Sequence, residues 1–180
     1  GGIHICVNCA GVAPAHKLID REFTPIPLEE YAKVININLI GSFNVAKASA
    51  AMMCKNHPDD ITEEKGVIIN TASIAGFEGQ VGQTAYAASK GGIIASSLPM
   101  ARELARNGIR VNAIAPGVMG TPMLLSMPDT VQESLVSNIP FPKRLGYPSE
   151  FASLALHLIE NSYINGETIR LDGALRMGPK

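Results

Sequence analysis

The sequence predicts an α/β protein with a parallel, doubly wound sheet. Four short apolar runs alternate with stretches of helical periodicity, and turns of small or polar residues close each run. At 180 residues, with 46% hydrophobic and 17% charged content, a single domain spanning residues 1–180 with a sizeable core is expected.

Ile3-His4-Ile5-Cys6-Val7-Asn8 is apolar and ends in a small-residue turn, which suits a buried parallel strand. From residue 28 to about 55 the period is helical. Glu29 and Glu30 complement the amino-terminal dipole, and Tyr31, Val34, Ile35, Leu39, Val45 and Ala46 lie near one stripe. Asn38 interrupts that stripe, where a polar side chain needs a partner or a purpose. Residues 55–65 are polar and turn-rich, so Asp59, Asp60, Glu63 and Glu64 are expected in a solvated loop.

The next strand, residues 66–73, ends on Ser73. The helix that follows carries Tyr86 and Lys90, ends near Asn107-Gly108, and is expected to kink at Pro99. Residues 109–115 form a third strand, and residues 116–127 a loop. Pro128 opens a helix to about residue 137. A loop over 139–147, a helix from 148 to about 160 and a strand over 167–171 complete the alternation.

A net charge of −1 gives no broad electrostatic basis for binding nucleic acid or an acidic membrane. It leaves a local basic patch of Lys143, Arg144, Arg170, Arg176 and Lys180. No apolar run approaches the ~20 residues of a membrane span, so a soluble protein is expected. Cys6, Cys9 and Cys54 are too few and too unevenly spaced for a disulfide framework. Cys6 and Cys9 formally fit C-x-x-C, yet three apart in an extended segment they face opposite ways, and no second ligand pair accompanies them. No metal site is expected.

The chemistry is concentrated in Tyr86 and Lys90. Four apart on a helix, phenol and ammonium share a face, and the positive charge is expected to favour the phenolate and so lower the tyrosine pKa. Ser73, thirteen positions earlier at the carboxyl end of a strand, lies where open α/β sheets hold ligands and can hydrogen-bond a substrate oxygen.

Together with Ser73, Tyr86 and Lys90, three further segments make the chain similar to the short-chain dehydrogenase/reductase family over nearly its whole length. Asn8-Cys9-Ala10-Gly11 resembles the family's Asn-Asn-Ala-Gly turn, Asn38 falls where its catalytic asparagine lies, and Ala115-Pro116-Gly117 with Thr121 resembles its nicotinamide-side loop. Phe77-Glu78-Gly79-Gln80-Val81-Gly82-Gln83 and Asn165-Gly166-Glu167-Thr168-Ile169-Arg170-Leu171-Asp172-Gly173-Ala174 narrow the resemblance to the branch that acts on 3-hydroxyacyl-CoA thioesters, some of whose members also act on hydroxysteroids.

The resemblance implies a Rossmann-like fold and NAD-dependent interconversion of 3-hydroxyacyl-CoA and 3-oxoacyl-CoA. Tyr86, Lys90, Ser73 and Asn38 would be catalytic, with Asn38 binding a water that extends the proton path from Lys90. Cys9, Ala10, Gly11, Tyr86, Lys90, Pro116, Gly117, Met119 and Thr121 would hold the cofactor, and Ser73, Gln83 and Tyr86 the acyl-CoA or other small hydroxy or keto substrate. Gln83 can equally cap the helix, and Met123, Leu124, Leu125 and Met127 suit either a mobile lid or simple packing.

Full-length family members carry a Gly-rich phosphate turn ahead of the Asn8 segment; the expectation is therefore the carboxyl-terminal two-thirds of such a domain, without the residue that selects NAD over NADP. The resemblance also implies a homotetramer, mitochondrial in a eukaryote and cytoplasmic in a bacterium. Two other readings stay open: a scaffold subunit in mitochondrial tRNA processing, and a 3-oxoacyl-carrier-protein reductase.

Overall fold

Four parallel strands lie in the order β1-β2-β3-β4: β1 Ile5–Asn8, β2 Gly66–Thr71, β3 Ile109–Pro116 and β4 Thr168–Leu171. The structure is a computed structural model that describes residues 1–126 and 128–179, the Met123 side chain excepted. Met127 of the expected lid and Lys180 of the expected basic patch lie outside the described residues.

Between β1 and β2 run α1 Leu28–Ile35 and α2 Gly41–Met53, and between β2 and β3 runs α3 Thr84–Leu104. Short helices α4 Pro122–Leu125 and α5 Asp129–Ser137 precede α6 Pro148–Glu160, which leads to β4. The two central strands are buried almost throughout because both their faces are covered, and their buried polar side chains Asn70, Arg110 and Asn112 are hydrogen-bonded. Ile68 and Val111 pack with Cys6 under Ala46, Ala50 and Met53 of α2, whereas Val67, Ile69 and Ile114 pack under Ala155 and Leu158 of α6. Burial of each large side chain contributes roughly 1.5–3 kcal/mol.

Three departures from the sequence reading have identifiable causes. The expected helix over 28–55 is one continuous helical run, but residues Asn36–Ile40 form a π-turn in which the Gly41 N–H donates to the Asn36 carbonyl. A segment read as loop contains α4, which starts at Pro122 in the first helical turn. Glu64, expected in water, reaches into the molecule and pairs in a fork with Arg110 of β3 at 2.9 and 3.0 Å. Arg110 is 6% exposed and also donates to the Leu158, Ile159 and Ile164 carbonyls, tying the end of α6 to the sheet. Pro99 lies inside α3, which runs on through it to Leu104.

The expected basic patch is largely neutralised. Arg144 pairs with Glu150 at 2.7 Å, Arg170 with Glu78 and Asp172, and Arg176 with Asp172 at 3.2 Å. Among the described residues no helix is long and apolar enough to cross a membrane, and no group of three or more His, Cys, Asp or Glu is placed to hold a metal ion.

Candidate active site

The carboxyl ends of β1, β2 and β3 stand side by side, and each releases a segment with a candidate role. After β1 comes the exposed turn of Cys9, Ala10 and Gly11; after β2 comes Ser73; β3 ends on Pro116, which leads through Gly117 to Met119 and Thr121. The first turns of α3 bring Tyr86 and Lys90 to the same edge.

Ser73 is fully extended (φ −168°, ψ 155°) and caps a single 3₁₀ turn, Ile74–Gly76, its Oγ accepting the Ala75 N–H at 3.1 Å. Gly76 permits that turn to lie on α3, since a Cβ there would come within 2.9 Å of the Gly91 nitrogen. Lys90 is 5% exposed, and its Nζ donates to the Thr71 carbonyl at 2.6 Å. That bond fixes the ammonium over the Tyr86 ring, 5.8 Å from its centre.

The electrostatics differ from the sequence expectation. Burial raises the Tyr86 phenol above its ordinary value, with the Ser73 hydroxyl opposing the shift. Burial also lowers Lys90 to about 8, opposed by charge at Cys9. Desolvation favours the neutral form of each group, so the phenol holds its proton more tightly and the ammonium gives it up more readily than the spacing alone implies.

Asn38 is wholly buried on the π-turn. Its Nδ2 donates to the Val12 carbonyl at 2.9 Å and to Ser89 Oγ at 3.0 Å, and its Oδ1 accepts the Val12 N–H at 2.9 Å. Ser89 in turn donates to the Tyr86 carbonyl at 2.7 Å. Asn38 thus locks the turn after β1 to the helix of Tyr86, and both Nδ2 donors are committed. A Cβ on Gly11 would stand 3.2 Å from Asn38 Oδ1 and 3.7 Å from Lys90 Nζ, so the glycine lets the backbone lie close to both groups.

On the β3 side, the Gly117 N–H donates to the Leu171 carbonyl at 2.9 Å, and a Cβ at Gly117 would meet Asp172 at 2.8 Å. Met119 bridges to Gly146, and the Gly120 N–H donates to the Gly146 carbonyl at 2.8 Å. Thr121 caps α4 through its backbone, and its hydroxyl makes no cap bond. Gln83 precedes α3 without capping it through its side chain, contrary to one expectation; its Oε1 accepts the Gln80 N–H at 3.0 Å. Leu125 of the expected lid is exposed on α4.

Two residues of this network escaped the sequence reading. The Thr71 carbonyl that anchors Lys90 is main chain and leaves no mark in residue type. Ser89 had a signal, since a serine one helical turn from Tyr86 and next to Lys90 reaches back to a carbonyl three residues earlier.

A parallel sheet covered on both faces, with a polar cluster at the carboxyl ends of its strands, is the architecture of a doubly wound α/β enzyme. Comparisons with known proteins give the class more closely. A family model described as Enoyl-(Acyl carrier protein) reductase matches residues 1–175. The chain is 55% identical over 180 residues to 3-hydroxyacyl-CoA dehydrogenase type-2 of Bos taurus, covering 99% of this chain and 69% of that protein. It is 49% identical over 180 residues to the Drosophila melanogaster protein of the same name, covering 99% and 70%. A crystal structure of 3-hydroxyacyl-CoA dehydrogenase type-2 from Mycobacterium avium superimposes with a TM-score of 0.94 at 45% identity, covering 100% of this chain and 69% of that one. The chain belongs to the short-chain dehydrogenase/reductase family and is an oxidoreductase.

Proposed function

We propose that the protein interconverts 3-hydroxyacyl-CoA and 3-oxoacyl-CoA with NAD as cofactor. The observation that carries the reading is the convergence of Ser73, Tyr86 and Lys90 at the carboxyl ends of adjacent strands. The relatives at 53–55% identity, each named 3-hydroxyacyl-CoA dehydrogenase type-2, support the choice of thioester.

The residues present fit the nicotinamide end of a dinucleotide. Gly11 lets the turn after β1 lie close to Asn38 and Lys90, and Gly117 lets the chain turn tightly against Asp172. Cys9, Ala10 and Gly11 would line one wall and Pro116, Gly117, Met119 and Thr121 the other, with Tyr86 and Lys90 between them. Nicotinamide held there would supply hydride transfer to or from the substrate carbon.

The protein's own part is proton placement. Ser73 donates to the substrate oxygen as negative charge develops there, and the neutral Tyr86 phenol delivers the proton in the reductive direction. Lys90, near its titration midpoint just above neutrality, restores that proton. A water bonded by Asn38 and Lys90 would extend the path outward. Gln83 sits beside Tyr86 as a further contact for the thioester carbonyl.

Exposed Ile40 and Phe43 near the start of α2, Leu98 on α3, and Leu156 and Tyr163 near β4 give apolar faces that support a homotetramer. Acetoacetyl-CoA reduction with NADH and with NADPH tests the reading, with faster turnover on NADH expected. A second reading rests on 40% identity to the 3-oxoacyl-[acyl-carrier-protein] reductase of Thermotoga maritima. Faster turnover of a carrier-protein thioester with NADPH would favour it.

A further inference from the structure

Two residues past the turn that Ser73 caps, Glu78 bonds the far end of the chain. Its two carboxylate oxygens accept the two terminal nitrogens of Arg170 at 2.9 and 3.0 Å, and one of them also accepts the Met177 N–H at 3.4 Å. Arg176 approaches the same carboxylate at 3.6 Å. Arg170 belongs to β4 and is itself pinned, by Asp172 at 2.7 Å and by the Leu175 carbonyl at 3.0 Å, with its guanidinium over the Phe77 ring.

The contact continues along the chain. The Val81 N–H donates to the Pro179 carbonyl at 3.1 Å and Gln80 Nε2 to the Gly178 carbonyl at 3.3 Å. Ile74, next to Ser73, is buried with Leu175 and packed by Met177. The segment that follows Ser73 is therefore held by the carboxyl-terminal tail at Ile74, Glu78, Gln80 and Val81.

A 3₁₀ turn of three residues has little hold of its own. A forked carboxylate–guanidinium pair, by contrast, fixes orientation as well as distance. We propose that Glu78 is a positioning residue, and that its pairing with Arg170 aims the Ser73 hydroxyl at the substrate oxygen. The inference rests on the reading of Ser73 as donor to that oxygen, and it adds the tail as the element that sets the donor's place.

The test uses Glu78→Gln and Arg170→Lys in the full-length protein, with two readouts. Amide exchange at Ala75 and Val81 is expected to quicken about tenfold in Glu78→Gln while Val111 and Ile114 in the sheet stay within about twofold, because the loosening is local. With acetoacetyl-CoA, kcat is expected to fall about tenfold with the cofactor KM unchanged, since small misplacements at a reacting centre are costly. Arg170→Lys keeps the charge and loses the fork, so it should lie between wild type and Glu78→Gln.

Unchanged exchange at Ala75 and Val81 overturns the proposal, as does faster exchange with undiminished kcat. Core amides and all kinetic constants moving together would mark a generally loosened fold and overturn it too. A wild type inactive on acetoacetyl-CoA defeats the functional reading instead, and the exchange comparison alone then decides whether Glu78 fixes the serine turn.

Discussion

Lys90 holds its ammonium 5.8 Å from the centre of the Tyr86 ring while donating to the Thr71 carbonyl at 2.6 Å. The lysine is thus oriented by the end of β2 and not by the tyrosine it faces. Burial rather than ion pairing dominates the titration of both groups, which sets the first expectation.

Lys90 is lowered from 10.5 to about 8 in the folded chain. Between those values the unfolded chain binds the proton and the folded one does not, so stability rises with pH across that window. Comparison with Lys90→Met by urea unfolding from pH 7 to 10 should show wild type gaining on the variant, on the order of 3 kcal/mol over the full window. Tyr86 is raised, so its contribution is present below 10 and lost only above it, which leaves pH 8–10 to the lysine. A difference that stays flat across this range would show that burial does not hold the lysine down.

Tyr86→Phe removes the proton donor and keeps the ring. Under the proposed chemistry kcat should fall roughly 10²- to 10⁴-fold. Nicotinamide binding, followed by fluorescence quenching, should persist; full activity in this variant would remove Tyr86 from the proton path.

Gly11→Ala places a methyl 3.2 Å from Asn38 Oδ1 and 3.7 Å from Lys90 Nζ. The crowding is expected to cost about 1–3 kcal/mol of stability. If the crowding displaces Asn38 or Lys90 from the relay water, the loss of rate should exceed tenfold and shrink when small exogenous amines are supplied as proton carriers. Rates equal to wild type would place the water elsewhere.

Arg110→Met strands the Glu64 carboxylate and three carbonyls that the guanidinium now satisfies. Removing one partner of a buried pair costs about 3–5 kcal/mol. The denaturation midpoint should drop accordingly, and Arg110→Met with Glu64→Leu should recover part of the loss.

The sheet was legible in the sequence because β2 and β3 are buried on both faces, so their apolar runs have no ambiguity of period. Tyr86, Lys90 and Ser73 were legible because spacing and strand ends put side chains at known places. Glu64 was misread because its partner lies 46 residues further on, and nothing local distinguishes it from Glu63. The tyrosine's direction of titration was misread because spacing conveys proximity and not burial. Asn38 was noticed as an anomaly, but the π-turn that carries it is a pattern of main-chain bonds, which residue types do not encode.

That turn has a consequence for how the chain tolerates change. Each α-helical residue rotates the side-chain direction by about 100°. A π-turn is one residue wider than the α-turn it replaces, so the residues of Asn36–Ile40 set the angular phase between Val34 before them and Ala46, Ala50 and Met53 after them. Deleting one residue there lets the run close into plain α-helix with the buried stripe of α2 still facing the sheet, whereas an uncompensated deletion within α2 rotates every residue beyond it by about 100°. Deleting one from the exposed stretch at 57–62, short of Glu64, changes the path of a loop. Single-residue length variation in this protein is therefore governed by rotational phase, and the wide turn at Asn36–Ile40 is where the helical run absorbs it.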